Sequence, residues 1–386
     1  MVIPSQGRVK VVYFISDIEK ALSFEWIATK LNKSRFELQF VLIGKEGTPM
    51  EHFLREQNIK VYVIPWRSSL SSLSALRQAI KIISSVNPHV VHAHLLKANL
   101  IGLLTAFWHR VPMRIYTRHH SVIHHYYHKK GVLYDRLTNY LATNIIALCA
   151  KSREILIDWE GVKKSKVLLI PHGFDIESFS HVKGSRIQLL KAKYSLEKRA
   201  PLVGVISRFT EWKGIQYIIP AYREFLKHYP DACLVLANAY GDYTSEIDAL
   251  LQEQLPRGSF LKIQFEDDVQ ALYQLFDLFI HVPIDPYVES FGQTYIEALA
   301  AGVPSIFTLS GIACDFIQNE QNALIVDYRS SDELTKAMKK LYANQSLKQK
   351  LIKGGQASVR NYDLTKMIDS LEDLYSKYEV NNSDYS

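Results

Sequence analysis

The chain has 386 residues, 46 Lys and Arg against 39 Asp and Glu, and 47% hydrophobic residues, an ordinary globular composition. That length exceeds what one core usually fills, so two domains are expected. No apolar run reaches the roughly 18 residues of a membrane span, and the opening residues 1–8 lack the apolar core of a signal peptide.

Three well-separated cysteines, Cys149, Cys233 and Cys314, argue against a disulfide scaffold or a Cys-type zinc site and fit a reduced, cytoplasmic chain. Charge is uneven: residues 1–180 hold 24 Lys and Arg against 13 Asp and Glu, the remainder 22 against 26. A basic first half suits phosphate, an acidic substrate or an anionic membrane surface. It carries no nucleic-acid-binding motif, so nucleic acid is not an expected partner.

In chain order, residues 8–16 form a β-branched apolar run typical of a buried parallel strand. Residues 21–31 read as a helix, 36–43 and 59–64 as strands, 73–86 as a helix and 90–94 as a strand. Residues 98–108 read as a buried helix; 115–117, 144–147 and 167–170 are short strands. Residues 181–200 are polar and basic and read as a linker, with a short helix expected within it at 187–193. A second series follows. Its strands are predicted at 202–206, 232–237, 262–265, 278–282, 305–308 and 323–326, its helices at 215–228, 245–254, 269–276, 296–301 and 332–341. The alternation predicts α/β architecture with two doubly wound parallel sheets, whose ligands bind beyond the carboxyl ends of strands. The first domain is expected over 1–180 and the second over 201–363. An amphipathic helix at 364–380 is expected to pack back onto the first domain, and 380–386 to be disordered.

The stretch 286–304, PYVESFGQTYIEALAAGVP, organises the second domain. Gly292 can turn the chain, Gln293 onward favours helix, and Gly302 with Pro304 stops it. Glu289 therefore sits in a loop before a short helix, and Glu297 on its first turns. A helix N-terminus offers free N–H groups and a positive dipole end to an anion. Carboxylates accept hydrogen bonds and so suit sugar hydroxyls. Arg208 follows the strand 202–206, and Lys213-Gly214 precedes the next helix. A guanidinium fork and an ammonium beside the helix at Gln293 describe a diphosphate site. The bland alternative is a pair of solvated charges and a Glu that merely favours the helix dipole.

Arg208-x4-Lys213-Gly214 followed by Glu289-x7-Glu297, with Val90-Val-His-Ala-His94, Thr117-x-His119 and Ile170-Pro-His-Gly-Phe-Asp175, resembles the retaining nucleotide-sugar glycosyltransferases of family 4. The likeness covers nearly the whole chain, in order. It implies a GT-B fold, two Rossmann-like domains facing across a cleft. It implies that Arg208 and Lys213 hold the diphosphate and that Glu297 takes the ribose hydroxyls. Glu289 would contact the transferred sugar, helped by amides around Phe291, Gly292, Gln293 and Thr294, with His119 by the reacting centre. No metal and no cofactor beyond the nucleotide-sugar donor are implied. The acceptor would be a glycan, a glycolipid or other lipid-linked molecule, or a small molecule, in cell-surface polysaccharide synthesis. A peripheral place on the inner face of a membrane goes with that.

Some positions depart from the family. Ser16-Asp-Ile-Glu-Lys-Ala-Leu-Ser has no glycine where a Gly-Gly loop is usual, so Ser16 and His120 are only provisional acceptor-side residues. Ser207 and Ser290 also stand where glycines are usual, both small changes, and Gln264–Asp268 lacks a glycine common near the nucleotide base, which leaves the base open. Glu266-Asp267-Asp268 suggests a cation site, but an Asp before a helix is an expected N-cap. His120, His124 and His128 would share a helical face, yet zinc usually recruits Cys or carboxylates as well. Basic and aromatic neighbours (Tyr126, Tyr127, Lys129, Lys130) suit an acceptor or lipid head groups, and equally a solvated loop. The alternative functions are a nucleotide-sugar epimerase on the same fold and a non-catalytic nucleotide-sugar-binding assembly subunit. An epimerase needs acid/base groups around the sugar, which the glutamate spacing does not supply. A silent binder would be expected to have lost one of the site residues.

Overall fold

Parallel strands buried on both faces are the framework. The structure, a computed structural model, describes residues 7–67 and 71–383, with side chains as far as Lys377. Of the expectations for the two ends, those on residues 1–6 and 384–386 lie outside the described residues. Residues 380–383 continue the last helix. Two compact units are present. One comprises the chain up to Phe174 together with the segment from Leu364; the other is Asp175–Asp363. No described helix is long and apolar enough to cross a membrane.

The first unit carries β1 (Val9–Ser16), β2 (Phe36–Gly44), β3 (Lys60–Pro65), β4 (Val90–His94), β5 (Met113–Thr117), β6 (Asn144–Ala147) and β7 (Val167–Leu169). They form one parallel sheet in the order β3-β2-β1-β4-β5-β6-β7. Val12, Phe14, Val41, Val91, Ala93 and Ile145 fill one side of the core. The order reverses between β1 and β4, the place where doubly wound sheets open a crevice.

The helix expected as buried runs Leu96–Trp108 and is only half buried. Ala98, Ile101, Leu103 and Ala106 face inward, while Leu104, Phe107 and Trp108 are exposed. The last helix, Leu364–Ser383, closes the unit: Leu371, Leu374 and Tyr375 are buried. The Tyr375 hydroxyl bonds the Tyr13 hydroxyl on β1 and His92 Nδ1 on β4, the latter at 2.7 Å. Burial lowers the His92 pKa to about 3, so that ring is neutral.

The second unit holds β8 (Leu202–Ile206), β9 (Cys233–Ala237), β10 (Phe260–Ile263), β11 (Leu278–His281), β12 (Ser305–Phe307) and β13 (Leu324–Ile325). All are parallel, in the order β10-β9-β8-β11-β12-β13, which repeats the first six positions of the other sheet. Both are Rossmann-like. β10 begins two residues earlier than its apolar pattern suggests. The acidic run after it serves the next helix: Asp268 accepts the Ala271 N–H at 3.0 Å, the expected N-cap.

Residues 181–200 are not a free linker. Gly184–Lys193 is a helix of the second unit with Leu190 buried, and Leu196 beyond it is buried too. Arg186 bonds both oxygens of Asp268, and Lys193 bonds Glu266. The polar composition is that of a surface helix held by two apolar anchors and ion pairs. The unit boundaries fall instead at Phe174/Asp175 and Asp363/Leu364.

Replacing Tyr375 by Phe removes one oxygen and leaves His92 Nδ1 and the Tyr13 hydroxyl buried without it. We expect Tyr375→Phe to lose about 1–3 kcal/mol of stability in urea denaturation, although the ring volume is unchanged.

Candidate active site

In the second unit β8 and β11 are neighbours, so the loops leaving their carboxyl ends share one crevice. Arg208 stands two residues past β8. Its neighbours Ser207 and Phe209 are buried, whereas its own side chain is exposed and makes no hydrogen bond or ion pair with the described residues. A short turn, Glu211–Lys213, then ends at Gly214. Gly214 has φ +76°, and a Cβ there would lie 2.0 Å from the Val282 carbonyl oxygen, so no other residue allows this approach. The Ile284 N–H donates to the Trp212 carbonyl at 3.1 Å, joining the two loops.

That junction brings Lys213 to Glu289. Lys213 Nζ lies 2.5 Å from Glu289 Oε1, and His281 Nε2, at the end of β11, lies 3.2 Å from the same oxygen. The backbone N–H of Glu289 donates to Ser310 Oγ at 3.2 Å. Glu289 is 8% exposed. Burial alone would raise its pKa, but Lys213 and His281 outweigh that and hold it well below the usual carboxylate range. Burial lowers the pKa of His281, and the Lys213 charge adds to this, against the pull of Glu289. The pair is therefore an ammonium–carboxylate with a neutral imidazole beside it.

Gly292, at φ +89°, is the N-cap of the helix Gln293–Ala300. The left-handed turn leaves the N–H groups of Gln293 and Thr294 without intrahelical acceptors. Gln293 is exposed and Thr294 half-buried. Phe291 differs in kind. It is 2% exposed, packs edge-on against Tyr362 and accepts the Ile312 N–H on its carbonyl, so only its backbone can serve a ligand. Glu297 lies on the second turn, half-buried. The Tyr273 hydroxyl donates to it at 2.8 Å, and desolvation raises its pKa to about 7.

In the first unit, His119 follows β5. Its Nε2 is 2.9 Å from His94 Nδ1, at the end of β4, and its ring stacks on His172 at 5.6 Å. Burial, with the neighbouring imidazoles, lowers the pKa of His119 well below the usual value. Ser16 is not a surface group. It is 1% exposed, and its hydroxyl accepts the Ala98 N–H at 3.3 Å, serving the helix Leu96–Trp108. The missing glycines are replaced by Asp17, which takes the left-handed conformation at φ +56° and pairs with Lys97.

His120 turns toward Asp135, 3.1 Å from Oδ1. The helix expected to align His120, His124 and His128 is only Ile123–Tyr126, so those three do not share a helical face. Instead His120, His124 and Asp135 have polar atoms within 4.8 Å of one another. Asp135 also pairs with Arg118 at 3.3 Å, so its charge is already matched. Sequence reasoning missed His281, Ser310 and Tyr273. Only a histidine at the end of a strand signalled the first, and nothing in sequence spacing signalled the others.

Lys213→Met would leave Glu289 ionised and uncompensated, at a cost of about 3 kcal/mol. We expect Lys213→Met/Glu289→Leu to recover much of that loss. A urea double-mutant cycle should give a coupling energy of about 1–3 kcal/mol, and additive effects would mean that the pair is not formed in solution.

With this geometry in hand, comparison with known proteins is direct. Residues 187–358 match the family model for glycosyl transferases group 1, and residues 27–178 match that of glycosyltransferase family 4. The capsular polysaccharide biosynthesis glycosyltransferase CapM of Staphylococcus aureus is 26% identical over 354 residues, 87% of this chain and 89% of CapM. The UDP-Gal:alpha-D-GlcNAc-diphosphoundecaprenol alpha-1,3-galactosyltransferase of Escherichia coli is 23% identical, covering 88% and 89%. Anabaena Alr3699/HepE in complex with UDP-glucose superposes with a TM-score of 0.82 at 20% identity, over 95% of this chain and 99% of that one. The order of the strands, the loops that join Lys213 to Glu289 and the two matched models agree: this chain belongs to the glycosyltransferases of family 4, with the GT-B fold.

Proposed function

We propose that the protein moves one hexose, with retention of anomeric configuration, from a nucleotide diphosphate sugar to a glycan or lipid-linked acceptor in cell-surface polysaccharide synthesis. The observation that carries this is the meeting of Lys213, Glu289 and the N-terminus of Gln293–Ala300 beyond neighbouring strands. CapM serves capsular polysaccharide biosynthesis, the E. coli relative is named for a diphosphoundecaprenol acceptor, and the HepE structure holds UDP-glucose. These names support a nucleotide-sugar donor and a polyprenol-linked or glycan acceptor; in this reading the acceptor is met at the inner face of a membrane.

In this reading Arg208 clamps the diphosphate with its planar fork, and the free amides at Gln293 and Thr294 add partial positive charge. Lys213, oriented by Glu289, neutralises the charge that grows on the leaving diphosphate as the sugar–oxygen bond breaks. Fixed cations do this work without a metal or a further cofactor. Glu289 keeps lone pairs for sugar hydroxyls, and His119, held neutral, offers a hydrogen bond rather than a charge by the reacting centre. The acceptor hydroxyl attacks from the side the diphosphate leaves, as the resemblance suggests, and in this reading its proton goes to that leaving diphosphate. Glu289 and Glu297 are not a glycosidase pair, since Glu297 faces the ribose; positioning and electrostatics supply the rate.

Incubation with a panel of nucleotide sugars and membrane lipid extract tests this. Transfer should appear, with Arg208→Ala and Lys213→Ala each lowering turnover roughly 10²–10³-fold. Interconversion of donors without an acceptor would make the protein an epimerase. Donor binding without either reaction would make it a non-catalytic subunit.

The raised pKa of Glu297 gives a second test. Ribose hydroxyls donate, so the ionised carboxylate binds better, and below about pH 7 a bound donor must displace a proton. Donor affinity should climb as pH rises through about 7 and then level off. Titration calorimetry with the preferred nucleotide sugar should detect proton release at pH 6. Glu297→Gln should bind more weakly, with a flat profile and no proton release. A wild-type affinity that stays flat with pH would remove Glu297 from the ribose.

A further inference from the structure

The helix Gly131–Leu141 is inside out. Its buried residues include Asp135, Thr138 and Asn139, while Leu133 and Tyr140 are 66% and 71% exposed and Tyr134 and Leu137 are exposed beside them. A helix on a globular surface normally shows the opposite pattern. Its polar side is firmly tied down. Arg118, 1% exposed, bonds both Asp135 and Glu160. His124 Nδ1 lies 2.8 Å from Asp135, Asn139 Nδ2 donates to Glu160 at 2.7 Å, and the Tyr116 hydroxyl donates to Asn139. Turning the leucines inward would strip Arg118 of a partner and bury unmatched charge, so the orientation is enforced.

The apolar face continues onto the neighbouring helix. The Phe107 and Tyr140 rings are 6.1 Å apart, and Trp108 beside Phe107 is 78% exposed. Within residues 96–141 the exposed charge has one sign. Residues 96–141 contain seven Lys and Arg and a single acid, the buried Asp135. Arg110, Lys129, Lys130 and Arg136 are exposed.

We propose that this face docks on an anionic lipid bilayer, with Gly131–Leu141 lying in the plane of the head groups. Leucine side chains with aromatic rings at their margin suit the boundary between acyl chains and head groups, and the surrounding cations suit anionic lipid. A second copy of the chain is the poorer partner, because the exposed charges that residues 96–141 bring to it are all basic and would repel their copies. The inference deepens the lipid-linked acceptor reading and rests on it for its purpose, though binding to lipid needs neither donor nor acceptor.

Flotation of the full chain without nucleotide sugar tests it. Vesicles of equal parts phosphatidylglycerol and phosphatidylcholine should bind roughly tenfold or more tightly than phosphatidylcholine alone, with the difference shrinking as salt rises. Leu137→Glu/Tyr140→Glu should cut that binding at least about tenfold. Because both side chains are exposed, melting temperature and donor affinity should stay at the wild-type values. Equal flotation of variant and wild type would overturn the proposal. So would absence of binding at low salt, or a wild-type dimer that the variant converts to monomer. Failure of the transferase reading would appear in the donor assays and leave flotation unchanged, so the two can fail separately.

Discussion

A carboxylate that stays ionised while buried is the constraint on which the second unit turns. Glu289 keeps its charge because Lys213 and His281 stand beside one of its oxygens. Desolvating both ions is costly, and only close, well-oriented contact offsets it. The chain supplies that contact with a parallel sheet that sets β8 beside β11, a left-handed glycine at 214 pressed against the Val282 carbonyl, and a hydrogen bond from Ile284 to Trp212. Residues 76 positions apart thus become one preformed group. A site assembled this way needs little rearrangement to meet a charged ligand, the condition under which electrostatic stabilisation is most effective.

Much of this was legible in the sequence because it depends on local chemistry. β-branched runs marked most of the strands, and the alternation with helices led to two doubly wound sheets. The family pattern pointed to Arg208, Lys213, Glu289 and Glu297; of these Lys213 and Glu289 meet, Arg208 stands two residues past β8, and Glu297 lies on the second turn of the helix after Gly292. Groups that reach the site through packing were not legible. Tyr273 touches Glu297 across 24 residues, and Ser310 supports Glu289 from the loop after β12. Spacing does not encode such contacts; the order of strands and the register of helices do. Ser16 shows the opposite error. The end of a first strand is a common ligand-facing place, but this hydroxyl is consumed by the start of a helix.

Residues 181–200 and 131–141 show why composition misleads at surfaces. The first segment looks like a linker because its length is mostly polar, yet Leu190 and Leu196 suffice to seat it once Arg186 and Lys193 find acidic partners. The second carries Leu133, Leu137 and Tyr140 at helical spacing. That periodicity identifies an apolar face but does not say which side is solvent. The answer lies in Arg118, Glu160 and Asn139, which need Asp135 and its neighbours more than the core needs another leucine.

The two units use buried charge for different ends. In the second, the ion pair sits at strand ends, with His281 Nδ1 and Thr294 Oγ1 buried nearby and without hydrogen-bond partners among the described residues. Some polar capacity there is left over. In the first, Asp135 and Glu160 are matched by Arg118 and by imidazoles, and their network holds a helix in an orientation that its own hydrophobicity opposes. A buried ionic cluster seldom adds net stability over a well-packed apolar core. What it does fix is which face points outward. An apolar surface held outward by a charged interior costs folding free energy, and that cost is offset only where the surface meets something apolar.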